Sequence, residues 1–598
     1  MGTYTGTRDA PSHLLDVSLA ELIVGLPIAF AAAVILASYL LDLAGWPIDQ
    51  HPVFALVLIT SALAVFVMWR WGPPVKLRAG WGEIGGLAVI LAGLPLYIYW
   101  LGGSTWIPPS GSVDAPHHLL LINFIRNYAS LPHDPDLWRY LGEFYTYSPG
   151  SHILAALAGR ALGMPSLYTI EPILALVATL RAAVFYLIAL RLLPALRVRP
   201  LLALAGTILL LVAYWYVINS FLWFFFYAQV VSELFALAML WALIAWNDRP
   251  WFGPLAFFSL CGVAVWLTWP VWLPVPTLTL AGLLLLRRDL SLWRRAAIFG
   301  LTMLPVAIVA AAYTVGRANQ LVILAAEGGV TQASVEVFGW PLLILAAAGM
   351  VVSRQRTNMR AVWFYTGALL AQTVALAVLD TVHQVETYYQ TYKMFYLLVY
   401  PLGLFATVGL TSLWQVAARR WPRAGLPLAA SLPVLAVALA LWNGLTFRPL
   451  PETESLTFNE PLYGAVTWTR QNLPGACVDY LVNYAITAYW LHLELGNPRV
   501  NDRTSQAINF YEQRLNTPNR WDRPRGLPYA IVENMGEVPD DVRRHFKVLY
   551  ESPPAAVVYR TGECDEDVVL LQDHPIAPRT DTLAARFDQL LGTHLAAY

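Results

Sequence analysis

The chain has 598 residues, of which 58% are hydrophobic and only 13% are charged, and its mean hydropathy is +0.54. Soluble domains carry about 25% charged residues and less than half apolar residues, so this composition excludes an ordinary soluble protein. The 38 basic and 38 acidic residues balance, and the chain has no basic tract of the kind that binds nucleic acid.

Thirteen apolar segments follow one another along the chain, most of them near the 20 residues that cross about 30 Å of hydrocarbon. We predict a transmembrane helix at each of them: 17–43, 52–69, 83–101, 167–193, 200–219, 230–247, 254–268, 270–286, 296–315, 339–352, 361–379, 394–415 and 426–446. The expected fold is a polytopic α-helical membrane domain over 1–446, followed by a soluble domain over 447–598.

Basic residues between these segments predict the orientation of the chain, because loops rich in Lys and Arg stay in the cytoplasm. Five such loops fall on one side of the thirteen-span arrangement: Arg70, Lys76 and Arg78; Arg197 and Arg199; Arg287, Arg288, Arg294 and Arg295; Arg354, Arg356 and Arg360; Arg419, Arg420 and Arg423. A multi-pass protein of the plasma (cytoplasmic) membrane is expected, with a cytoplasmic N-terminus and an extracytoplasmic C-terminal domain.

The segment from Ser148 to Leu162 affects this orientation. It is apolar enough to be a short span, but counting it as one would place four basic clusters outside. A mildly apolar stretch of about 15 residues also fits a helix that lies in the membrane interface. We therefore predict a helix at the outer membrane surface that does not cross.

The C-terminal domain has the mixed periodicity of a small α/β fold. Residues Glu460–Asn472 are expected to form a helix, and four segments are expected to form strands: 477–482, 529–532, 548–550 and 556–559. Cys477 and Cys564 both lie in this domain, so an extracytoplasmic location would allow them to pair. Cys261 lies in an apolar run and is expected to be a packing residue.

The first outer loop, 102–166, contains the richest set of polar residues, and loops carry function more often than the elements they connect. Its candidate site residues are Asp114, His117, His118, Asp134, Asp136, Glu143, Tyr147 and His152. A carboxylate at Asp114 is suited to act as a general base on a hydroxyl group. Asp114 precedes Ala115 and Pro116, however, and this pattern is also a normal helix start.

His117 and His118 follow Asp114 closely, and histidine and carboxylate are common metal ligands. These three residues are therefore candidate ligands for a divalent metal such as Mg²⁺, Mn²⁺ or Ca²⁺. The alternative for the whole loop is that it has no role in a site and that its charged side chains face water.

A second group of polar residues lies at 380–393 and includes His383, Glu386 and Lys393. Lys393 begins a predicted span on the outer side, so its ammonium group has two interpretations. It extends to the membrane interface, or it binds the phosphate of a lipid carrier as a point charge. Deeper in the bundle, Arg181 and the acidic residues near it are expected to form a structural Glu–Arg pair.

The early Asp114 and the motif Tyr147-Ser148-Pro149-Gly150 before an outer helix resemble the C-type (GT-C) glycosyltransferase superfamily. The resemblance covers roughly 17–446, and the helix around 466–474 is similar to the one that opens the outer domain of these enzymes. Within the superfamily the chain looks most like mycobacterial arabinofuranosyltransferases, which share a Val-Asp pair, here Val113-Asp114. The motif at Tyr147 departs from their Tyr-Pro-Pro-Gly by one Ser.

The resemblance implies an inverting transfer of a sugar from a polyprenyl-phosphate donor to a glycan, glycolipid or protein acceptor of the cell envelope. Asp114 would be the general base, and Lys393 would bind the phosphate of the donor, with or without a divalent metal. Many members have a second acidic residue, for which Asp134, Asp136 and Glu143 are the candidates. His118, Tyr147, His152, His383 and Glu386 are further candidates for substrate contact.

Other functions remain open from the sequence. A polymerase, ligase or phosphotransferase acting on lipid-linked glycans would also use an outer-face site. A transporter or flippase would need ionisable residues along a path through the membrane and internal repeats, whereas Arg181 is the one well-placed mid-membrane charge in the sequence. A non-catalytic protein that binds glycan through its outer domain is a further class.

Overall fold

The computed structural model describes residues 15–73, 75–102, 106, 114–315, 334–383, 388–447, 459–473, 477–483, 485–496 and 528–560. Most of these residues are helical. The helices are α1 Leu19–Leu43, α2 Gln50–Trp71, α3 Trp81–Leu101, α4 Asp114–Tyr128, α5 Trp138–Leu141, α6 Gly150–Leu162, α7 Ile170–Leu192, α8 Arg199–Leu209, α9 Tyr214–Val217, α10 Asn219–Leu222, α11 Tyr227–Asp248, α12 Phe252–Thr268, α13 Pro274–Leu286, α14 Leu292–Val315, α15 Val335–Phe338, α16 Trp340–Ser353, α17 Arg360–His383, α18 Tyr388–Arg420, α19 Gly425–Phe447, α20 Glu460–Asn472, α21 Ala485–Leu495 and α22 Asp540–Arg543.

Within the described ranges, nine helices are long and apolar enough to cross a membrane, and four shorter apolar helices lie between them. Together they coincide with the thirteen predicted spans, so the prediction of a polytopic helical membrane protein is confirmed. Their outer faces carry large apolar side chains that would be costly in water, such as Leu58 and Trp293, the latter 85% exposed. Such a continuous apolar exterior is expected where lipid replaces water as the solvent.

The inner helices of the bundle are α7, α11 and α18. In the apolar 18-residue stretch of each helix, 78% to 89% of the residues are buried. They pack on each other and on α4, α6, α8, α12 and α17, and their apolar side chains form one continuous core. By contrast, α2 and α14 bury little of their surface. This inner layer also holds buried charged side chains such as Arg181 and Glu233.

Helix α6 covers most of the segment 148–162, which was predicted not to cross the membrane. With 13 residues it is about 20 Å long at 1.5 Å per residue, which is too short to cross the hydrocarbon. Its first residues, Gly150, Ser151 and His152, are buried against neighbouring helices, whereas Leu162 at its end is 67% exposed. An added Cβ at Gly150 would approach the Leu267 carbonyl oxygen to 2.6 Å. The helix thus packs into the bundle at its start, and its position at the outer membrane surface stays a prediction.

Six β-strands are described: β1 Leu15–Ser18, β2 Val75–Arg78, β3 Val478–Leu481, β4 Tyr529–Val532, β5 Lys547–Ser552 and β6 Ala555–Tyr559. Strands β1 and β2 pair in parallel and tie the start of α1 to the connection between α2 and α3. The other four form one sheet in the order β3-β4-β6-β5, in which β3 and β4 are parallel and the remaining pairs are antiparallel.

This sheet and helix α20 bear out the predicted α/β character of the C-terminal region, and α20 has the predicted bounds. Leu462, Ala465 and Val466 of α20 pack on the sheet through Val478 and Val557. Cys477, directly before β3, is disulfide-bonded, while Cys564 lies outside the described residues. Cys261 is buried and free, as expected of a packing residue.

Helices α16 and α18 approach closely because glycines face each other between them. A Cβ atom built on Gly349 would lie 1.8 Å from the Phe405 carbonyl oxygen. A Cβ atom on Gly409 would lie 2.2 Å from the Leu345 carbonyl oxygen. Small residues at such crossings let helix backbones pack in membranes, where van der Waals contact is a main source of association.

Replacing Gly349 by Ala is therefore expected to force α16 away from α18 and to destabilise the protein by about 1–3 kcal/mol, the usual range for overpacking. The thermal unfolding midpoint of the purified protein in detergent measures the change. Gly367→Ala is the matched control, because a Cβ at Gly367 has no described atom within 4 Å. Equal midpoints for the two variants would contradict the close packing.

Candidate active site

Asp114 is the first residue of α4, so its carboxylate lies at the helix start, as the sequence predicts. His117 and His118 follow three and four residues later and lie on the same side of the helix as Asp114. Both histidines are buried, with 1% and 2% of their surface exposed, whereas Asp114 is partly exposed. Helix α4 thus presents its carboxylate at the edge of the core and anchors it through two buried rings.

His118 joins α4 to α6. Its Nδ1 lies 2.9 Å from Nε2 of His152, and both side chains are buried. The far sides of the two rings face the backbone carbonyls of Phe225 and Ser148. Phe144, Tyr147 and Tyr227 surround the pair with ring contacts, and the Tyr227 hydroxyl donates to the Ser151 carbonyl at 2.8 Å. The pair fixes the orientation of α4 and therefore of Asp114.

The histidine pair should make stability fall in mild acid. Burial lowers the pKa of His152 to about 3, and burial with the neighbouring His152 and His117 lowers the pKa of His118 well below 6.5. Below pH 6.5, His118 and His152 therefore bind protons in the unfolded chain but stay neutral in the folded chain. Each such group removes up to about 1.4 kcal/mol of unfolding free energy per pH unit until the folded pKa is reached.

We expect the unfolding midpoint to drop between pH 7 and pH 5, and to drop less in His152→Gln, which keeps a hydrogen-bonding side chain but does not titrate. His545 is exposed, so His545→Gln should retain the full pH dependence. The same slope in wild type and His152→Gln would show that the pair is not the source.

The C-terminal region contacts α4 through helix α21. The ring of Tyr489 packs edge-on against His117 at a centroid distance of 4.2 Å. His492 Nε2 lies 3.1 Å from the carbonyl oxygen of Tyr140 in the first loop, and Trp490 joins the core of the membrane bundle. The C-terminal region thus packs on the helix that carries Asp114, next to the candidate site.

Lys393 lies in the second turn of α18 and is 1% exposed. Its Nζ is 2.7 Å from the ring centroid of Phe226, 4.7 Å from that of Tyr389 and 5.3 Å from that of Tyr396. The ammonium group is therefore held inside the protein over aromatic faces, which attract cations. This placement contradicts the interpretation that Lys393 extends to the membrane interface.

Asp114 and Lys393 lie close enough for their charges to interact, although they are far apart in sequence. The Asp114 carboxylate also interacts electrostatically with Tyr389. Tyr147 interacts with Tyr389 as well, and its ring stacks on Phe144 at 4.6 Å, next to the histidine pair. The start of α4, the start of α18 and the Tyr147 motif therefore bring a carboxylate, an amino group and aromatic rings into one region of the protein.

A buried ion pair between Glu233 and Arg181 lies within electrostatic range of Lys393. Glu233 pairs with Arg181 and accepts hydrogen bonds from Gln229 Nε2 and the Tyr400 hydroxyl, both at 2.9 Å. The Glu233 carboxylate also acts electrostatically on Lys393. The expected structural Glu–Arg pair is thus present, with Glu233 as the partner of Arg181. Its charges stay compensated in the low-dielectric interior, where an unpaired charge is costly.

The ring of Phe226 forms an aromatic floor under Lys393. It is positioned by a strained turn between α10 and α11. Phe225 has φ of +56°, a left-handed conformation that is unfavourable for a bulky residue. Such strain costs about 1–3 kcal/mol and is concentrated at functional sites. The turn brings the Phe225 carbonyl to His118 and the Phe226 ring to Lys393, so it links both halves of the site.

The other candidate acids have different surroundings. Asp134 caps a short 3-10 helix, because its Oδ1 accepts from the Asp136 backbone N–H at 3.0 Å. Asp136 itself is exposed. The side chains of Glu143 and His383, and the whole of Glu386, lie outside the described residues. The structure therefore brings Asp114, His118, Tyr147, His152 and Lys393 together and leaves Asp134 as a capping residue of the loop.

The proposed metal ligands do not gather into one set. Among the described residues, no group of three or more His, Cys, Asp or Glu side chains is placed to hold a metal ion. His118 directs Nδ1 at His152, and the ring of His117 packs against Tyr489 and Phe144. These residues therefore do not form a ready set of ligands for a divalent cation.

Several residues of the site were not predicted from the sequence. They are Phe144, Phe225, Phe226, Tyr396, Tyr489 and His492. The run of aromatic residues at 221–227 was the available signal for two of them, because it is longer than a membrane-interface belt needs. Contacts from α21 have no local signal, since they depend on how the C-terminal domain is seated.

No protein-family model and no curated protein matches the sequence. Among solved structures, the chain is similar to ArnT from Cupriavidus metallidurans bound to undecaprenyl phosphate, with 15% identity and a TM-score of 0.49 over 79% of this chain and 98% of that chain. The apo state of ArnT matches over the same shares, with 14% identity and a TM-score of 0.47.

Proposed function

We propose that the protein is a GT-C-type membrane glycosyltransferase that transfers a sugar from a polyprenyl-phosphate donor to a hydroxyl group of an envelope acceptor. The observation that carries this proposal is that Asp114 lies within electrostatic range of the buried amino group of Lys393. A base and a group that binds an anion in one site are what a transfer from a phosphate-activated sugar requires.

The transfer has a simple balance of bonds and charges. The acceptor oxygen attacks the anomeric carbon as Asp114 takes its proton. A carbon–oxygen bond to the acceptor forms, and the bond between the anomeric carbon and the phosphate oxygen breaks. Polyprenyl phosphate leaves with the electron pair and gains negative charge, which the Lys393 ammonium stabilises. Attack opposite the leaving group inverts the anomeric configuration.

The surroundings favour this division of roles. The Lys393 amino group lies within a pocket of aromatic rings, where its electrostatic interaction with a bound phosphate would be stronger than in water. The ring of Tyr389 lies near both Asp114 and Lys393 and offers an apolar face for a sugar. Glu233 is fully buried and paired with Arg181, whereas Asp114 is partly exposed at the start of α4, so Asp114 is the better base.

Several finer features belong to this proposal. The site would face the extracytoplasmic side of the plasma membrane, as the basic loops predict. A pentose donor of the arabinofuranosyl type would follow from the Val113-Asp114 motif, and cell-wall assembly would be the process served. The acceptor would be a glycan, glycolipid or protein.

The proposal is tested by mixing the protein in nanodiscs with polyprenyl-phosphate sugars and candidate acceptors, and by measuring released polyprenyl phosphate. Arabinofuranosyl, mannosyl, glucosyl and galactosyl donors form the first panel. We expect acceptor-dependent release with one donor. Folded protein that releases no polyprenyl phosphate from any donor, with any acceptor class, would contradict a transferase and favour transport or binding.

A further inference from the structure

A cavity of about 870 Å³ lies at the end of the bundle away from Asp114 and Lys393. It is lined where α1 begins, where α2, α7 and α11 end, and where α12 begins. The aromatic floor under Lys393 lies at the opposite end of α11, next to its first residue, Tyr227. The cavity is therefore a second site, separated from the first by the length of α11.

One side of the cavity mouth holds two arginines around one carboxylate. Glu83 pairs with Arg199 and with Arg78 Nη2 at 3.1 Å, and it accepts from the Ser18 hydroxyl at 3.1 Å. The pairing of β1 with β2 places Ser18 opposite Arg78 and holds this group in place. Within the described residues Arg78 and Arg199 bond Glu83 through Nη2, so each retains Nε and Nη1 as donors for another acceptor.

The other side of the mouth is built around Arg191. Its Nε donates to Glu21 at 2.7 Å, and its Nη1 donates to Asp248 at 3.4 Å. Arg249 follows Asp248, and its positive charge also interacts with the Asp248 carboxylate. Counting the whole lining, four arginines face three carboxylates, so the mouth carries a net positive charge that is greatest at the Arg78–Arg199 side.

Behind the charged mouth, the walls are apolar. They come from α1 through Leu26 and Ala29, from α2 through Ala64, and from α11 and α12 through Trp241 and Phe257. The distance from Ser18 to Ala29 along α1 is about 17 Å at 1.5 Å per residue, close to half of the roughly 30 Å hydrocarbon core. The cavity thus has the polarity profile and the depth of one lipid leaflet.

We propose that this cavity binds an anionic membrane phospholipid, whose phosphate contacts Arg78 and Arg199 and whose acyl chain lies between α1, α2, α11 and α12. Arginine suits the phosphate because its planar guanidinium donates two parallel hydrogen bonds to phosphate oxygens. A soluble phosphate would gain nothing from the apolar walls. The excess of arginine over carboxylate favours a headgroup with net negative charge.

The test uses the full-length protein, delipidated in detergent, and measures lipid binding by native mass spectrometry. Phosphatidylglycerol is expected to bind as one retained molecule, more tightly than phosphatidylcholine. Arg78→Gln should weaken it about tenfold, the usual effect of losing a charge-assisted hydrogen bond. Ala64→Trp, which fills the cavity from an exposed position on α2, should weaken it by at least as much.

Matched controls lie next to both changes. Arg70 belongs to the same basic cluster but does not line the cavity, and Val65 neighbours Ala64 on another face of α2. Arg70→Gln and Val65→Trp should therefore bind phosphatidylglycerol like wild type. The proposal is overturned if Arg78→Gln and Arg70→Gln weaken binding equally, if phosphatidylcholine binds as tightly as phosphatidylglycerol, or if glycerol phosphate displaces the lipid at equal concentration.

Discussion

Replacing Asp114 by Asn is expected to abolish sugar transfer while the protein stays folded. Asparagine has the same shape but accepts no proton, so the acceptor hydroxyl would have to attack without a base. Loss of a general base lowers turnover by about 10²–10⁴-fold. The start of α4 should survive, because Asn is as good as Asp in stabilising a helix start, and the His118–His152 pair is left in place.

The same change separates chemistry from binding. Asp114 is one of two carboxylates that act on Lys393, and Asn in its place removes a negative charge that would repel an incoming phosphate. Donor affinity should therefore be unchanged or slightly higher while kcat falls. A loss confined to kcat identifies an interaction made only in the transition state, whereas a misfolded site would weaken donor binding as well.

The measurement is polyprenyl phosphate release at several donor concentrations, with the unfolding midpoint as the check on folding. Asp540→Asn is the matched control, since Asp540 is exposed in the C-terminal domain. Activity within a few-fold of wild type in folded Asp114→Asn protein would remove Asp114 as the base.

The helical architecture was predictable because each membrane helix carries its signal locally. Each predicted span coincides with an apolar helix, since a backbone in hydrocarbon must satisfy its own hydrogen bonds within the segment. For helix α6 the sequence was less informative, because an apolar surface predicts burial but does not distinguish lipid from protein. The contacts of Gly150 and His152 with other helices show that the start of α6 faces protein.

The candidate site was predictable in part. Asp114 and His118 stand out because they are polar residues at helical spacing on one short helix, but their relation to Lys393 depends on how α18 packs. The interpretation of Lys393 could not be decided from sequence, because a lysine near the end of a span is equally suited to reach the interface or to be buried. The strained turn at Phe225 decides it by placing an aromatic ring under the ammonium group.

Replacing Lys393 by Met is expected to separate activity from stability. Met keeps the length of the side chain and packs well against the rings of Phe226 and Tyr389, but it brings no charge to the leaving phosphate. Removing one preorganised electrostatic group typically costs about 10²–10³-fold in turnover. Donor affinity should fall as well, because the cation also attracts the phosphate before the reaction.

Stability should respond differently. In wild type the ammonium is 1% exposed, and burial of a charge is costly even when aromatic faces return about 2 kcal/mol. Glu233 keeps Arg181, Gln229 and Tyr400 as partners after the change, so no new orphaned charge arises there. The unfolding midpoint of Lys393→Met should therefore equal or exceed that of wild type.

Transfer kinetics and unfolding midpoints of Lys393→Met decide between two roles for this lysine. Lys547→Met, at an exposed position of β5, should match wild type in both. If Lys393→Met lowers the midpoint and activity together, the lysine holds the helices α11 and α18 in place and does not bind phosphate. If activity is lost while the midpoint is kept or raised, Lys393 serves the reaction and is not needed for the stability of the fold.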